Sequence, residues 1–409
     1  PRRRRGIQNR SRKIIYGKMR YRPRIYSKLM RLFRPLILIS VIGVPGVVLH
    51  ASTVTDAVAF IDIVNDSDLD RVNEMVSVDN IYGQETIVTD PVGNEIPSQV
   101  TYDGKLIFAV NMSPGSTARY AIVKGLRHDY PAAACGRFVP ERDDDFAWEN
   151  DLTVYRAYGP ATCTKGGKAY GYDVWTKNVS YPIIDRRYHD HLHEGKSYHI
   201  NHGDGMDAYA VGATLGGGTA ALLGNDGQPV YNCCFDRYEI LDNGPLRFTV
   251  RLIYPGEERL ISLDAGSHFN HTVVRFSGNA DLSEACIGIV THDDDVTRRI
   301  YDKSGSVAVI GYEDPTDSPC EENGKIYVGA LLDDSSARTV FLPFPENQGQ
   351  ATGHCSIIST LPLDRTLEYR WGSGWSKGDV ENLARWKEIL MDEARRMQHP
   401  LKIKVTKSK

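Results

Sequence analysis

The stretch LRFTVRLIYPGEERLISLDAGSHFNHTVVRF, residues 246–276, carries three runs rich in β-branched, aromatic and aliphatic residues, 246–254, 259–263 and 268–276, parted by Pro255-Gly256 and Ala265-Gly266. Such runs, bounded by turn formers, predict consecutive strands. In the third run a period of two puts His268, Asn270 and Thr272 on one face and His271 and Val273 on the other. The same pattern extends outward in both directions. Towards the N-terminus it predicts strands at 57–64, 85–88, 107–110, 119–123, 153–158, 172–175, 219–223 and 238–241, and towards the C-terminus at 285–290, 307–309, 326–331 and 368–371. A spacing of about ten residues per strand is that of a β-sandwich. One helix interrupts it, where Val380, Leu383, Trp386, Ile389 or Leu390, Ala394 and Met397 recur every third or fourth position, with Asp379 as N-cap and Pro400 as stop. The fold class is therefore mainly β. A small N-terminal β domain (52–125) is joined to a larger one (126–400) that ends in the amphipathic helix.

Composition agrees with that class. Thirty-seven glycines, twenty prolines and twenty-two tyrosines among 409 residues favour turns and strands over a helical bundle. The formal charge of −3 hides an uneven distribution, because residues 1–51 hold fourteen Lys or Arg and no acid. The remainder carries 35 basic against 52 acidic side chains, near −17, which excludes a basic face of the kind nucleic acid requires.

Residues 1–51 read as a basic leader and secretory signal: a basic stretch to Arg34, an apolar run over 36–49, then Ala51 and Ser52. The long basic stretch suggests a translational start at Met19 or Met30. Fourteen apolar residues are short for a membrane span, which takes about 20, and Pro45 weakens the run further. The expectation is an exported protein, periplasmic or secreted, with no stable membrane insertion after cleavage. Seven cysteines lack metal-ligand spacing, permit one or two disulfides and leave an odd thiol, while adjacent Cys233 and Cys234 point to opposite faces of a strand.

Groups that titrate near neutrality concentrate in one place, where residues 188–209 hold five of the twelve histidines. His189, His191 and His193 alternate and, on an extended chain, form a solvated edge or a metal-binding face. His199, His202, Asp204, Asp207 and Tyr209 surround Gly203 and Gly205, which allow the backbone to aim several side chains at one point. Upstream, residues 141–151 place six carboxylates in a charged loop whose end, Trp148-Glu149-Asn150-Asp151, runs into an apolar strand. A carboxylate buried there is either a candidate acid or base, or is satisfied by backbone or Arg156. Arg247 supplies a positive charge for an anionic ligand. No cofactor is required by the sequence. A divalent metal on His202, Asp204 and Asp207, or on the alternating histidines, stays possible.

Five motifs together carry a resemblance: 139–158 with its Arg-x-Asp-Asp-Phe-Ala-Trp-Glu-Asn-Asp core, 173–185, 198–209, 241–247 and Trp371-Gly372-Ser373-Gly374-Trp375-Ser376. Over residues 60–390 the chain looks like a family of uncharacterised-domain proteins common in polysaccharide-utilisation loci of Bacteroidetes. That resemblance implies a galactose-mutarotase-like β-supersandwich acting on uronic-acid oligosaccharides by elimination across C4 and C5, as a dehydratase or lyase. Its motifs fall on Trp148, Glu149, Asn150, Asp151, Asp173, Trp175, His199, His202, Asp204, Asp207, Tyr209 and Arg247; Asp204 stands where the family usually has Glu.

An elimination at C5 of a uronate needs a base, an acid and a partner for the carboxylate. His202 is assigned as base and Tyr209 as acid, with His199 and Glu149 as further catalytic candidates. Arg247, Asn150 and Asn270 neutralise the carboxylate, and His268 lines the cleft. Two alternatives stand beside this: a glycoside hydrolase pairing Glu149 with Asp207 or Asp173, and a non-catalytic carbohydrate-binding protein whose Trp148, Trp175, Trp371 and Trp375 stack on sugar rings.

Overall fold

Alternation decides which face of each strand is buried. In Ala57–Val64 every second residue, Ala57, Ala59, Ile61 and Ile63, points into a core, and Arg71–Asp79, Lys105–Met112 and Thr117–Lys124 supply the facing Val76, Val78, Phe108, Val110, Tyr120 and Ile122. The computed structural model describes residues 57–315 and 321–408. The leader read from residues 1–51, and Cys320, lie outside them. Among the described residues no helix is long and apolar enough to cross a membrane.

The N-terminal strands make a sandwich of a three-stranded sheet (Arg71–Asp79, Lys105–Met112, Ser98–Val100) on a five-stranded one. The latter takes its edge from the other end of the chain. Lys402–Lys407, which the sequence pattern did not reveal, pairs antiparallel with Ala57–Val64, Val405 opposite Ile61. Gln99 fastens the sandwich to the larger body, since its side chain accepts from the amides of Leu246 and Arg247 (3.0 and 2.8 Å) and donates to the Arg247 carbonyl (3.1 Å).

The larger body is built on the quoted stretch. Arg247–Tyr254, Glu257–Asp264 and Phe269–Phe276 lie side by side, antiparallel, within an eight-stranded sheet that continues through Thr366–Trp375, Ile326–Asp333, Val307–Asp314 and Arg299–Ser304. Its inner face packs on a five-stranded sheet centred on Glu284–Thr291 and on a four-stranded sheet (Ala134–Val139, Asp145–Asn150, Val154–Ala157, Asp173–Trp175). Phe248, Leu252, Ile261 and Val274 meet Leu222, Ile287 and Ile357 from the second sheet and Phe146, Trp148 and Tyr155 from the third in one core. The protein is thus mainly β, with several sheets and few helices.

Three α-helices occur among the described residues: α1 (Pro160–Thr164), α2 (Ile184–His193) and α3 (Leu383–Gln398). Only α3 was legible in the sequence. Its N-cap is Asn382, whose side chain accepts from the Arg385 amide at 2.9 Å, and not Asp379, which pairs elsewhere. Trp386 of α3 is fully buried, stacks on Phe269 at 5.7 Å and donates to the Val328 carbonyl at 3.1 Å. Trp386→Ala removes that plug and its hydrogen bond; it should cost about 3–5 kcal/mol, read as a lower urea midpoint with an unchanged slope.

Candidate functional site

Three adjacent strands carry the charge of the site. Asp145 opens Asp145–Asn150, Arg156 lies in Val154–Ala157, and Asp173 opens Asp173–Trp175, directly opposite Arg156 in the register. Phe146, Trp148 and Tyr155 turn into the main core, so their alternating neighbours face the other side, towards α2 and the loop after it. That loop returns Asp207 to the sheet by an antiparallel bridge with Trp175. Gly205 makes the return possible, because at φ +112° a Cβ there would meet the Thr176 carbonyl oxygen at 2.1 Å.

Arg156 is the hub. Its Nη2 pairs with Asp173 and lies 2.9 Å from Oδ2 of Asp207, and its Nη1 lies 3.6 Å from Oδ2 of Asp145. The rings of Tyr158, Trp175 and Tyr198 surround the guanidinium at 5.0, 5.1 and 5.7 Å. Arg142 enters from the solvent edge, 3.2 Å from Asp145 and 3.2 Å from the Tyr198 hydroxyl. Two guanidinium groups against three buried carboxyls leave one negative charge in excess. A retained proton removes it. Burial first, then the charge of Asp173, pushes the Asp207 carboxyl up to about 8 despite Arg156, and burial pushes Asp145 up to about 6.

His199 sits on the solvent side of this centre, its side chain 56% exposed. Its Nδ1 donates to the Asp207 carbonyl at 3.0 Å, with the Asp207 carboxyl at 3.5 Å. A carbonyl oxygen only accepts, so in the neutral ring the hydrogen is on Nδ1 and Nε2 is a free base. Tyr198 meets its ring edge-on at 4.7 Å, and His191 lies beyond at 6.1 Å. Burial, then the nearby His199, Arg142 and Arg156, lowers His191, which is therefore neutral at neutral pH.

The sequence candidates divide. Asp173, Trp175, His199 and Asp207 meet at the Arg156 centre. Glu149 is buried but fully occupied: Oε1 accepts from the amides of Ile183 and Ile184 at the start of α2 (2.7 and 2.8 Å), and Oε2 from Lys177 Nζ (2.6 Å). It caps a helix instead of facing a cleft. His202 and Tyr209 do not form an acid–base pair, since His202 is exposed and bound to the Ser197 carbonyl (3.0 Å), while Tyr209 is buried and donates to the Gly216 carbonyl (3.1 Å). Asp204 is held by Arg186 and Arg187 of α2. The tryptophans proposed as sugar platforms, Trp148, Trp175, Trp371 and Trp375, are all buried, and Trp148 Nε1 donates to Asn270 at 2.8 Å. Asn150 is spent on the carbonyls of Asp264 and Ser267 (both 2.7 Å) and the amides of Leu152 and Thr153. Arg247 forms a two-pronged pair with Asp264 (2.5 and 2.8 Å), away from the Arg156 centre, and lines a separate cleft with Asp151 and His268.

Sequence reasoning missed Asp145, Arg142, Tyr158 and Tyr198 as site members, carried His191 only in the alternating histidine set, and mentioned Arg156 only as a partner for Glu149. The available signal was Arg156 itself: an arginine inside the apolar run LTVYRAY must find carboxylates if it is buried. The alternating histidines misled because residues 184–193 are helical. His189 and His193 therefore share one face, 5.2 Å apart, and His191 turns towards the site. Neither proposed metal set converges. Among the described residues, only Cys163, Cys233 and Cys234 gather metal-type ligand atoms within 4.8 Å, and the first two form a disulfide.

Fold and site define a mainly β protein with a buried arginine–aspartate centre presenting a surface histidine. Residues 63–403 match the family described as a domain of unknown function (DUF4861), and the chain belongs to that family. It is 33% identical over 208 residues to the uncharacterised protein P7 of Formosa agariphila, a match covering 46% of this chain and 51% of P7, so it spans about half the length of that relative. Among solved structures, an α-mannosidase from Enterococcus faecalis V583 aligns over 86% of this chain and 46% of its own at 9% identity and a TM-score of 0.40. The periplasmic domain of Thermotoga maritima YidC aligns over 61% and 94% at 8% identity and a TM-score of 0.29.

The buried charges yield two expectations. Lys177→Met strands the Glu149 carboxylate and should cost about 3–5 kcal/mol in urea unfolding, much of it recovered in the Lys177→Met/Glu149→Gln double variant. Asp207 binds its proton more tightly folded than unfolded. Its contribution to stability is fully present below the ordinary carboxyl value of 3.8 and is lost as pH rises through about 8. Asp207→Asn, which mimics the protonated acid, should therefore gain on the wild type as pH rises across that window, read from paired thermal melts.

Proposed function

We propose that the chain is a carbohydrate-active enzyme that removes a C4 substituent from uronate-containing oligosaccharides by β-elimination, with His199 as the base. The observation that carries this reading is the His199 imidazole, a largely exposed ring oriented by the Asp207 carbonyl at 3.0 Å beside a charge-balanced buried centre. Nε2 takes the C5 proton, the electron pair of that C–H bond becomes the C4–C5 double bond, and the C4 oxygen departs with its own pair and a proton from an acid. Arg142, 26% exposed and beside His191 and Tyr198, faces the substrate carboxylate as charge builds on it. Tyr158 is assigned as the acid. Its hydroxyl accepts from Arg156 Nη2 at 3.4 Å, a cation placed to stabilise the phenolate left once the proton is given.

The hydrolase alternative draws less support, since Glu149, Asp173 and Asp207 are all buried and engaged in ion pairs. An exported setting, periplasmic or secreted, suits this activity and rests on the composition of residues 1–51.

His199→Ala should lower kcat on uronate oligosaccharides by about 100-fold or more, followed by the ultraviolet absorbance of the new double bond, while His202→Ala stays near wild type. Full turnover in His199→Ala, or shorter chains without the chromophore, rejects the assignment.

A further inference from the structure

A second place in the molecule has the shape of a binding site. A cavity of about 730 Å³ lies where Arg71–Asp79 of the N-terminal sandwich, the outer face of the eight-stranded sheet and α3 come together. Small-molecule sites span about 300–1,000 Å³ and favour such junctions. The cavity takes no part in the His199 chemistry.

Its walls are made of matched ion pairs. Arg247 holds Asp264 at 2.5 and 2.8 Å, His268 Nε2 lies 2.9 Å from Asp379, His271 Nε2 lies 2.7 Å from Glu368, and Arg370 pairs with Glu393. The remaining acids on the wall are also engaged: Glu74 by Arg71 at 3.0 Å, Asp151 by the Gly266 amide at 2.7 Å, and Asp392 by Arg395 at 3.4 Å. The hydrogen bond and charge of His271 lower the Glu368 carboxyl against its burial; burial raises Asp379, but His268 outweighs it and the net shift is down. Both acids are anions at neutral pH.

This lining selects a ligand by charge. Among the described residues each carboxylate on the wall already has a partner, and the seven acids face Arg247, Arg370, Arg385 and Arg396 together with the partners Arg71 and Arg395, so the charges nearly balance and neither a polycation nor a polyanion is favoured. What the wall offers is donors and acceptors side by side at fixed spacing. The arginine pairs and His271–Glu368 can each receive a hydroxyl that donates to the carboxylate and accepts from the cation, whereas His268 is spent on the Ser373 carbonyl and Asp379. Phe269 is the one aromatic side chain on the wall, so stacking adds little. We infer that the cavity binds a neutral, polyhydroxylated ligand, a short run of uncharged sugar residues, and that binding clamps the N-terminal sandwich, the sheet and α3 together.

The test uses the full chain, titrated calorimetrically and by thermal shift with neutral xylo-, cello- and galacto-oligosaccharides, and with oligogalacturonate and spermidine as charged probes. At least one neutral oligosaccharide should bind and raise the melting temperature. His271→Ala and Glu368→Gln, whose side chains are 45% and 67% exposed and so removable without unfolding the protein, should weaken that binding at least tenfold. His199→Ala should bind as wild type does, which keeps failure here separate from failure of the elimination reading. The inference is overturned if no neutral probe binds, if only a charged probe binds, or if binding survives both cavity variants unchanged.

Discussion

The buried guanidinium of Arg156 is the interaction on which the rest of the site depends. A cation enclosed by Tyr158, Trp175 and Tyr198 persists only with anions brought to it, and three separate segments supply them as Asp145, Asp173 and Asp207. The demand for those anions fixes the bridge that returns Asp207 to Trp175, and the bridge in turn positions His199. A surface histidine is thus aligned by a buried guanidinium it does not touch. Because two cations face three acids, one acid keeps its proton, and the centre is close to neutral below the value of about 8 to which Asp207 is raised.

Beside it, the Lys177–Glu149 pair has a different use. Glu149 joins a strand of the four-stranded sheet to the first amides of α2, and Lys177, just after Asp173–Trp175, neutralises it. With Arg186 and Arg187 of α2 holding Asp204, the helix is tied at one end to the sheet and along its side to the glycine-rich loop. Both ties explain why acids that a sequence reader picks out as chemical are structural: each had to be placed where a backbone amide or a buried cation lacked a partner.

Most of the strand pattern was legible, because residues such as 246–276 alternate against a single core and are separated by turn formers. Of the four-stranded sheet, the strands expected at 153–158 and 172–175 are present as Val154–Ala157 and Asp173–Trp175, but Ala134–Val139 and Asp145–Asn150 were not legible. Asp145–Asn150 is buried on both faces, so it shows no alternation, and its acids read as a charged loop. Helix α2 was hidden by polar residues at alternate positions, whose meaning depends on whether the backbone repeats every two residues or every 3.6. Within the site, Asp173, His199 and Asp207 could be picked out by type and glycine context. Their convergence on Arg156 rather than Arg247 could not, since strand neighbours far apart in sequence leave no local trace. Burial of the tryptophans was equally invisible, because an aromatic side chain suits a sugar platform and a hydrophobic core alike.

The pairing of Lys402–Lys407 with Ala57–Val64 has a temporal side. On the ribosome the first strand emerges long before its neighbour, and every strand of the larger body is made in between. The early sandwich therefore keeps one edge open until that neighbour is made, its amides and carbonyls available to any passing strand. Closure comes only when Lys402–Lys407, which follows α3 in the chain, takes its place on Ala57–Val64. Lysines at 402, 404 and 407 keep the new edge poorly suited to further pairing, so the element that ends assembly also blunts the rim it creates.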